Sequence, residues 1–448
     1  MRNNHEIDMI NGPLTGKILT FALPLMLSGI LQLLYNAADI VVVGRYAGSS
    51  ALAAVSATSS IINLIVNFFS GLSIGTSVAL AQYIGARKFD DASKTVHTSV
   101  ALSIIFGVFL ALIGSFISEP ALIAMNCPDE VLPLASKYLK IYFLGSPANL
   151  IYNYGSAIMR TSGDTKRPLY FLTFSGIVNV ILNLILVICF HMDVDGVAIA
   201  TISSQYISAI LVVITLIRNQ GPCHLDIKKI HIIPKKLGEI MYLGIPASIQ
   251  GLTFSISNII VQSSINSFGA LAIAGNGAAI SLEGFAFTAM NAFGVAAQVF
   301  VGQNMGAKKY KRVNKSMLIC IAMSTAAWAV AYGIFTIFKT QLFEIYLPND
   351  KEAVEFGITR LGIILGSYAI CGTMEIASGT LRAMGKSIFP AFVSIACICV
   401  FRIIWIFTVF AKFHSLTCLF ISYPISWALA QIVFYTNYII VYRKLLKE

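Results

Sequence analysis

Long apolar runs follow one another along the whole chain. A helix of about 20 apolar residues crosses ~30 Å of hydrocarbon, and runs of this length recur throughout. We count twelve, at about 17–43, 51–84, 96–117, 134–158, 168–190, 194–217, 237–266, 273–303, 316–338, 356–380, 388–411 and 415–442. Barrel strands would alternate over short segments, and these runs do not. The pattern predicts an all-α polytopic membrane protein of twelve transmembrane helices, whose backbone bonds are satisfied internally.

The first apolar run carries a stripe of polar residues. Gln32, Tyr35, Asn36 and Asp39 are spaced at i, i+3, i+4 and i+7, so they share one face of a helix. A carboxylate inside a membrane span is costly and points to function by default. Asp39 could instead end the helix near the headgroups, but four apolar residues, 40–43, still follow it. We therefore predict a functional role for Asp39.

Composition supports a membrane protein with little soluble domain. The chain is 57% hydrophobic and 11% charged, with a mean hydropathy of +0.80, whereas soluble domains carry about 25% charged residues. The first run is not expected to be a cleaved signal peptide, because Glu6 and Asp8 precede it and the run is too long.

The distribution of charge explains the formal net charge of +11 without a nucleic-acid partner. If the N-terminus is cytoplasmic, most of the 31 Lys and Arg fall in the inside segments. The segments predicted outside hold Arg45, Lys339, Lys351 and Lys412. This asymmetry predicts a multi-pass protein of the cell (inner) membrane with both termini cytoplasmic. Basic loops that face anionic lipid account for the charge.

The sequence contains an internal repeat. Three features recur in the same order at offsets of 221 or 222 residues. They are Pro24 and Pro246, residues 82–88 and 303–309, and residues 160–163 and 382–385. Both copies contain six spans, so they enter the membrane from the same side and form a parallel repeat. We predict an N-lobe at 1–222, a cytoplasmic linker at 223–236 and a C-lobe at 237–448.

Two six-helix lobes are typical of an alternating-access transporter. Pro24 and Pro246 each remove a backbone hydrogen bond within a span, so each is expected to act as a hinge or as a static kink.

The ordered set of features resembles the multidrug and toxin extrusion (MATE) family over about residues 10 to 445. Its members have twelve helices in two lobes. The resemblance rests on Pro24, Asp39, the turns at 85–88 and 160–168, and their second-half partners. It implies secondary active export of amphipathic, often cationic organic compounds in exchange for H⁺ or Na⁺.

Polar residues concentrate in the first lobe. Asn, Ser and Thr side chains often bond helices together, but a group of them around a carboxylate favours an ion site. The predicted coupling-ion site comprises Asp39, Asn179, Asn183, Thr201, Asn153 and Asn36. The family resemblance implies the same role for the first four. Some family branches carry a second carboxylate where this chain has Asn183.

Either H⁺ or Na⁺ fits this set of residues. Lipid burial favours a proton on a carboxylate, whereas amide and hydroxyl oxygens favour a hard cation. Both ions neutralise Asp39, so a loaded and an empty site would favour different helix packings.

The second lobe carries its acids at other positions. Position 261, which corresponds to Asp39, is Val, and the intramembrane acids are Glu283 and Glu375. Arg402 is a possible partner for either acid. The predicted substrate cleft comprises Glu283, Glu375, Arg402, Phe287, Met290, Tyr35 and Gln32. A buried structural ion pair, or simple core packing of the apolar members, is the alternative.

The leading hypothesis is therefore an ion-coupled multidrug antiporter, which needs no cofactor or structural metal beyond the coupling ion. A lipid-linked oligosaccharide flippase of the same superfamily is the alternative. A membrane enzyme is not expected, because no nucleotide loop, nucleophile motif or metal-ligand spacing occurs, and the eight cysteines are scattered. The expected partners are small organic substrates and the bilayer, and a monomer is expected because nothing in the sequence requires an oligomer.

Overall fold

The computed structural model describes residues 6–125, 127–348 and 350–447, without the side chain of Ser49. No strand occurs among these residues, so the predicted all-α class is confirmed. The helices are α1 (Leu14–Ala47), α2 (Ser50–Gly85), α3 (Phe89–Ala124), α4 (Leu132–Leu144), α5 (Ser146–Ser162), α6 (Lys166–Cys189), α7 (Val194–Arg218), α8 (Pro234–Asn266), α9 (Ala270–Gly306), α10 (Tyr310–Ile337), α11 (Lys339–Tyr346), α12 (Lys351–Ala383), α13 (Ile388–Phe410) and α14 (Leu416–Leu445).

The fourth predicted span differs from the others. Across the described ranges, 11 helices are individually long and apolar enough to cross a membrane. The predicted span at 134–158 is instead divided at Gly145 into α4 and α5. Pro147 lies in the first turn of α5, where its missing N–H is tolerated, because this position would have no helical partner in any case.

The predicted parallel repeat is confirmed in the backbone. Arg87 and Lys308, at equivalent positions of the two repeated turns, both adopt left-handed conformations, with φ of 57° and 55°. Gly163 and Gly385, which follow α5 and α12, also have positive φ, at 102° and 81°. A left-handed residue ends a helix readily, so the repeat reproduces the helix ends and not merely the apolar pattern.

The chain forms two compact units whose boundaries lie inside helices. Unit 1 is Leu27–Gly244 with the segment up to Ile7, and unit 2 is Asp8–Met26 with Ile245–Glu448. The predicted lobe and linker limits (1–222, 223–236 and 237–448) stay predictions. The residues of α1 up to Met26 belong to unit 2, and the residues of α8 up to Gly244 belong to unit 1. Pro24 and Pro246 each lie within two residues of a division, and their role as hinges stays a prediction.

Unit 2 anchors α1 up to Met26. The fully buried Phe21 ring packs edge-on against Phe300, with ring centroids 5.6 Å apart. The Asn304 amide donates to the Met9 carbonyl at 3.2 Å, and Arg312 donates to the Gly12 carbonyl at 3.0 Å. The residues just before α1, 9–12, are therefore bound to the repeated turn at 303–309 and to the first turn of α10.

Unit 1 anchors α8 up to Gly244 in a corresponding way. The Tyr83 hydroxyl donates to Glu239 at 2.6 Å, and Lys236 pairs with Asp91 at 3.0 Å. The helix backbones of α2 and α8 approach closely, and a side chain at Gly75 would overlap the α8 backbone. The two repeated turns thus serve equivalent structural purposes in the two units.

Candidate functional site

Asp39 lies in α1, where its carboxylate meets buried amides of α6. The Asn183 side-chain amide donates to Asp39 Oδ1 at 2.6 Å, and Asn183 is completely buried. The same Asn183 nitrogen lies 3.4 Å from Asn179 Oδ1, one turn earlier. Asp39 itself is partly exposed. A buried amide network with a partly exposed carboxylate is an arrangement that an ion can reach.

The oxygen atoms around Asp39 could hold a cation. Asn183 Oδ1 is buried and has no hydrogen-bond partner among the described residues. Together with the Asp39 carboxylate and Asn179 Oδ1, it provides oxygen ligands of the type that hard cations prefer. A proton on Asp39 would serve equally well to remove the negative charge.

Close packing of α1 on α6 positions this site. A side chain at Gly176 would overlap the Tyr35 ring, so glycine at this position allows the two helices to approach. The Tyr35 hydroxyl donates to the Thr173 carbonyl at 3.2 Å. One turn after Tyr35 on α1, and two turns after Gly176 on α6, the same helix pair brings Asp39 to Asn183.

An apolar cluster lies directly beyond Asp39 along α1. Its buried members include Val42 and Val43 of α1, Tyr138 of α4 and Val187 of α6. Tyr138 lies close enough to Asp39 for an electrostatic interaction between their side chains. The sequence analysis did not identify Tyr138, because an aromatic residue within a span carries no distinguishing signal.

The other predicted ion-site residues do not hydrogen-bond to Asp39 in the part of the chain described. The Thr201 hydroxyl donates to the Val197 carbonyl of its own helix at 2.9 Å. Asn153 donates to Asn149 Oδ1 at 2.9 Å, and Asn36 is exposed. The structure therefore brings Asn179 and Asn183 to Asp39, and the ion-binding role of all six residues stays a prediction.

Glu283 in unit 2 forms a buried ion pair, but not with the predicted partner. Arg360 donates to both carboxylate oxygens, from Nε at 3.0 Å and from Nη2 at 2.9 Å. The Tyr368 hydroxyl lies 3.3 Å from the same carboxylate, and Arg360 Nη1 donates to Asn276 at 2.9 Å. The suggested pairing of Glu283 with Arg402 is wrong, because the planar guanidinium of Arg360 already satisfies both oxygens.

Arg402 is bound by hydroxyl groups and aromatic rings. Its Nε donates to Ser426 at 3.0 Å and its Nη1 to Ser257 at 3.2 Å. The guanidinium carbon lies 3.9 Å from the centroid of the Tyr423 ring. Arg402 forms no ion pair with Glu375 or any other described carboxylate, so pairing with Glu375, the other predicted possibility, is also not observed.

The remaining substrate-cleft candidates have diverse environments. Glu375 is half-buried with no hydrogen bond to a described residue, and Met290 is buried against Gly372. Phe287 is 42% exposed, and its ring packs edge-on against Tyr368. Gln32 is exposed, as expected for the outer part of the α1 stripe. Contact with substrate stays a prediction for each of them.

The MatE family profile matches residues 24–185 and 246–408, which begin at the two repeated prolines. The chain belongs to the MATE family of multidrug efflux transporters. Relatives include the probable multidrug resistance protein YoeA of Bacillus subtilis, which is 28% identical over 95% of this chain and 93% of its own length. The multidrug export protein MepA of Staphylococcus aureus is 23% identical over 84% of this chain and 82% of its own length. A FAD transporter of Shewanella oneidensis is 24% identical over 86% and 85%.

Solved MATE structures share this fold. An outward-facing MATE transporter of the MOP superfamily superposes with a TM-score of 0.92, at 20% identity, over 100% of both chains. A MATE structure in the straight conformation gives a TM-score of 0.92 at 21% identity, again over 100% of both chains. The profile match confirms the predicted family, and the chain is a multi-pass membrane protein of a transporter family that acts on small molecules.

Proposed function

We propose that this MATE transporter is a secondary active antiporter that exports amphipathic, often cationic organic compounds in exchange for H⁺ or Na⁺. The observation that carries the proposal is the hydrogen bond from buried Asn183 to the half-buried Asp39 carboxylate. Such a carboxylate has a charge that a single bound cation can remove. Residues held permanently in ion pairs cannot serve in this way, because their charge is already compensated.

Binding of the coupling ion would change how α1 packs on α6. When Asp39 is charged, it accepts a strong hydrogen bond from the Asn183 amide, and charged acceptors form the stronger bonds. A proton on Asp39 would weaken that bond. A bound Na⁺ would instead be coordinated by Asn183 Oδ1, which has no hydrogen-bond partner among the described residues. The free energy of ion binding would therefore differ between two arrangements of α1 on α6. Coupling requires such a difference.

Alternating access is the transport mechanism that this coupling would drive. The divisions between the two compact units fall next to Pro24 in α1 and Pro246 in α8. A helix that lacks a backbone hydrogen bond at proline bends there more readily. We propose that ion binding at Asp39 biases the bend of α1, in the inner membrane and with both termini in the cytoplasm.

The relatives support an organic substrate without naming one compound for this chain. Two are named multidrug proteins, and one is named a FAD transporter, at similar levels of identity. Export of several amphipathic compounds is the proposal consistent with the first two names. The Phe287 and Met290 side chains of α9 provide adaptable apolar surface for such compounds.

The test is ethidium efflux from everted membrane vesicles under an imposed pH gradient and, separately, an imposed Na⁺ gradient. Wild-type protein should respond to one gradient, and Asp39→Asn should lose the response while keeping its expression and melting temperature. Asp90→Asn, the same change at an exposed carboxylate that pairs with Lys94, is the matched control. Absence of efflux in the wild type under both gradients would contradict multidrug export and favour a flippase assay. Persistent coupling in Asp39→Asn would show that the ion binds elsewhere.

A further inference from the structure

Arg402 is a buried cation whose partners are incomplete. The residue is 2% exposed, and serine hydroxyls accept from its Nε and Nη1. Its Nη2 is buried and has no hydrogen-bond partner among the described residues. A charged group with an unused donor in a protein interior is strongly disfavoured unless a further partner binds it.

The neighbouring Arg360 does not share this deficiency. Its guanidinium is neutralised by both oxygens of Glu283, at 3.0 and 2.9 Å. No described carboxylate is paired with Arg402. The surroundings of Arg402 therefore retain one uncompensated positive charge, and a single negative charge would balance it.

Ser257 supplies a second donor beside Arg402. Its hydroxyl oxygen accepts from Arg402 Nη1, and its hydroxyl hydrogen has no acceptor in the described part of the chain. Ser426, by contrast, uses its hydrogen for the Tyr423 carbonyl, at 2.7 Å. Arg402 Nη2 and the Ser257 hydroxyl are thus two unused donors in one cluster.

Aromatic rings complete the surroundings. The guanidinium carbon lies 3.9 Å from the centroid of Tyr423 and 5.8 Å from that of Trp427. These rings hold the plane of the guanidinium in place without neutralising its charge. A partner for Nη2 must therefore approach along the edge of the guanidinium, where its N–H groups point.

The internal repeat relates residues of this cluster to residues on the helices of the Asp39 site. An offset of 222 relates Thr201 to Tyr423 and Tyr35 to Ser257. Helix α13, which carries Arg402, is the second-half counterpart of α6, which carries Asn183. The second-half counterpart of α6 thus carries a buried cation, at the position that corresponds to Val180.

We propose that Arg402 and Ser257 form a binding site for a monoanion, either a halide or the carboxylate group of an organic molecule. A single uncompensated charge favours a monoanion over a dianion such as sulfate. The site is independent of ion coupling at Asp39, and its test requires no gradient and no transport.

The test uses iodide, which quenches tryptophan fluorescence on close contact, and the full-length protein purified in detergent. Iodide is titrated against sulfate at constant ionic strength. We expect a saturable component of quenching that Trp427→Phe removes and that chloride or acetate displaces. Stronger displacement by chloride would identify a free halide as the ligand, and stronger displacement by acetate would identify a carboxylate group.

Variants decide whether Arg402 is responsible. Arg402→Gln should abolish the saturable component, whereas Arg382→Gln, a second buried arginine in the same unit, should retain it. Ser257→Ala should weaken iodide binding by about threefold to tenfold, as expected for loss of one hydrogen bond. Purely linear quenching in the wild type, or saturable quenching that persists in Arg402→Gln, would overturn the proposal. If Arg402→Gln does not fold, unchanged binding by Ser257→Ala overturns it.

Discussion

The two units share a repeated backbone, but the partners of their carboxylates Asp39 and Glu283 differ. In unit 1, the Asp39 carboxylate accepts from the neutral Asn183 amide at 2.6 Å and forms no ion pair among the described residues. In unit 2, the Glu283 carboxylate is held at both oxygens by Arg360. A charge that is already paired stays constant through a transport cycle, whereas a charge that meets only dipoles can be neutralised by a mobile ion. The comparison therefore favours Asp39 over Glu283 as the carboxylate that couples transport to an ion.

The largest expected effect comes from breaking the fixed pair. Glu283→Gln leaves the Arg360 charge buried and unbalanced, so the free energy of unfolding should fall by about 3–5 kcal/mol. Thermal unfolding in detergent measures the change. Glu283→Gln combined with Arg360→Met should recover most of the loss, because no unpaired charge remains.

A surface pair provides the control for that experiment. Glu119 and Lys140 lie 3.4 Å apart, with side chains 54% and 45% exposed. Glu119→Gln should change stability by less than about 1 kcal/mol, since solvent screens exposed pairs. Equal losses for Glu283→Gln and Glu119→Gln would show that the buried pair does not hold the framework together.

The second prediction concerns the amide that contacts Asp39. Asn183→Ala removes a hydrogen bond to a charged group, which is worth about 1.5–3 kcal/mol. The ion concentration needed for half-maximal efflux should change by roughly tenfold to a hundredfold, with little change in ethidium affinity. Asn153→Ala is the comparison, because Asn153 bonds to Asn149 instead. An equal effect of both changes would place Asn153 in the ion site after all.

The third prediction tests the packing that positions Asp39. Gly176→Ala would place a methyl group against the Tyr35 ring. The free energy of unfolding should therefore fall by about 1–3 kcal/mol, and ion coupling should weaken. Gly277→Ala is the matched control, because a side chain there meets open space. Thermal unfolding and gradient-driven efflux are both measured. Normal coupling in Gly176→Ala would show that the site tolerates displacement of α1.

The smallest effect is expected for Tyr35→Phe. The change removes one neutral hydrogen bond, from the Tyr35 hydroxyl to the Thr173 carbonyl, worth about 0.5–1.5 kcal/mol. Packing of the ring on Gly176 is kept, so transport should be nearly normal while the melting temperature falls slightly. A large loss of efflux would instead indicate that the hydroxyl itself contacts the ion or the substrate.

Much of the architecture was predictable from the sequence because it depends on short-range patterns. Apolar runs of membrane-spanning length predict helices, and the repeated prolines and turns predict two equivalent halves. The break in the fourth span at Gly145 was missed, since apolar residues lie on both sides of it, at 141–144 and 150–152. Glycine and proline close together, at 145 and 147, were the available signal for it.

Asp39 and its two α6 amides could be proposed from sequence because a polar residue at helical spacing in a membrane span is rare and costly. The identity of the Glu283 partner could not, because Arg360 and Arg402 are both arginines in the second half. Which one reaches Glu283 depends on the packing of α9 against its neighbours. The sequence likewise did not predict that Tyr138 lies near Asp39, because its pattern does not distinguish Tyr138 from other aromatic residues within spans.

The sequence by itself determined the helical class, the internal repeat and the residues that carry charge into the membrane. These properties follow from hydropathy and spacing along one chain. Only the tertiary structure decided that Asp39 meets amides, that Glu283 meets Arg360 and that Arg402 keeps an unused donor. Such pairings depend on the distances between helices that are remote in sequence. A difference of a few ångströms decides whether a buried charge is neutralised by a partner or remains able to bind an ion.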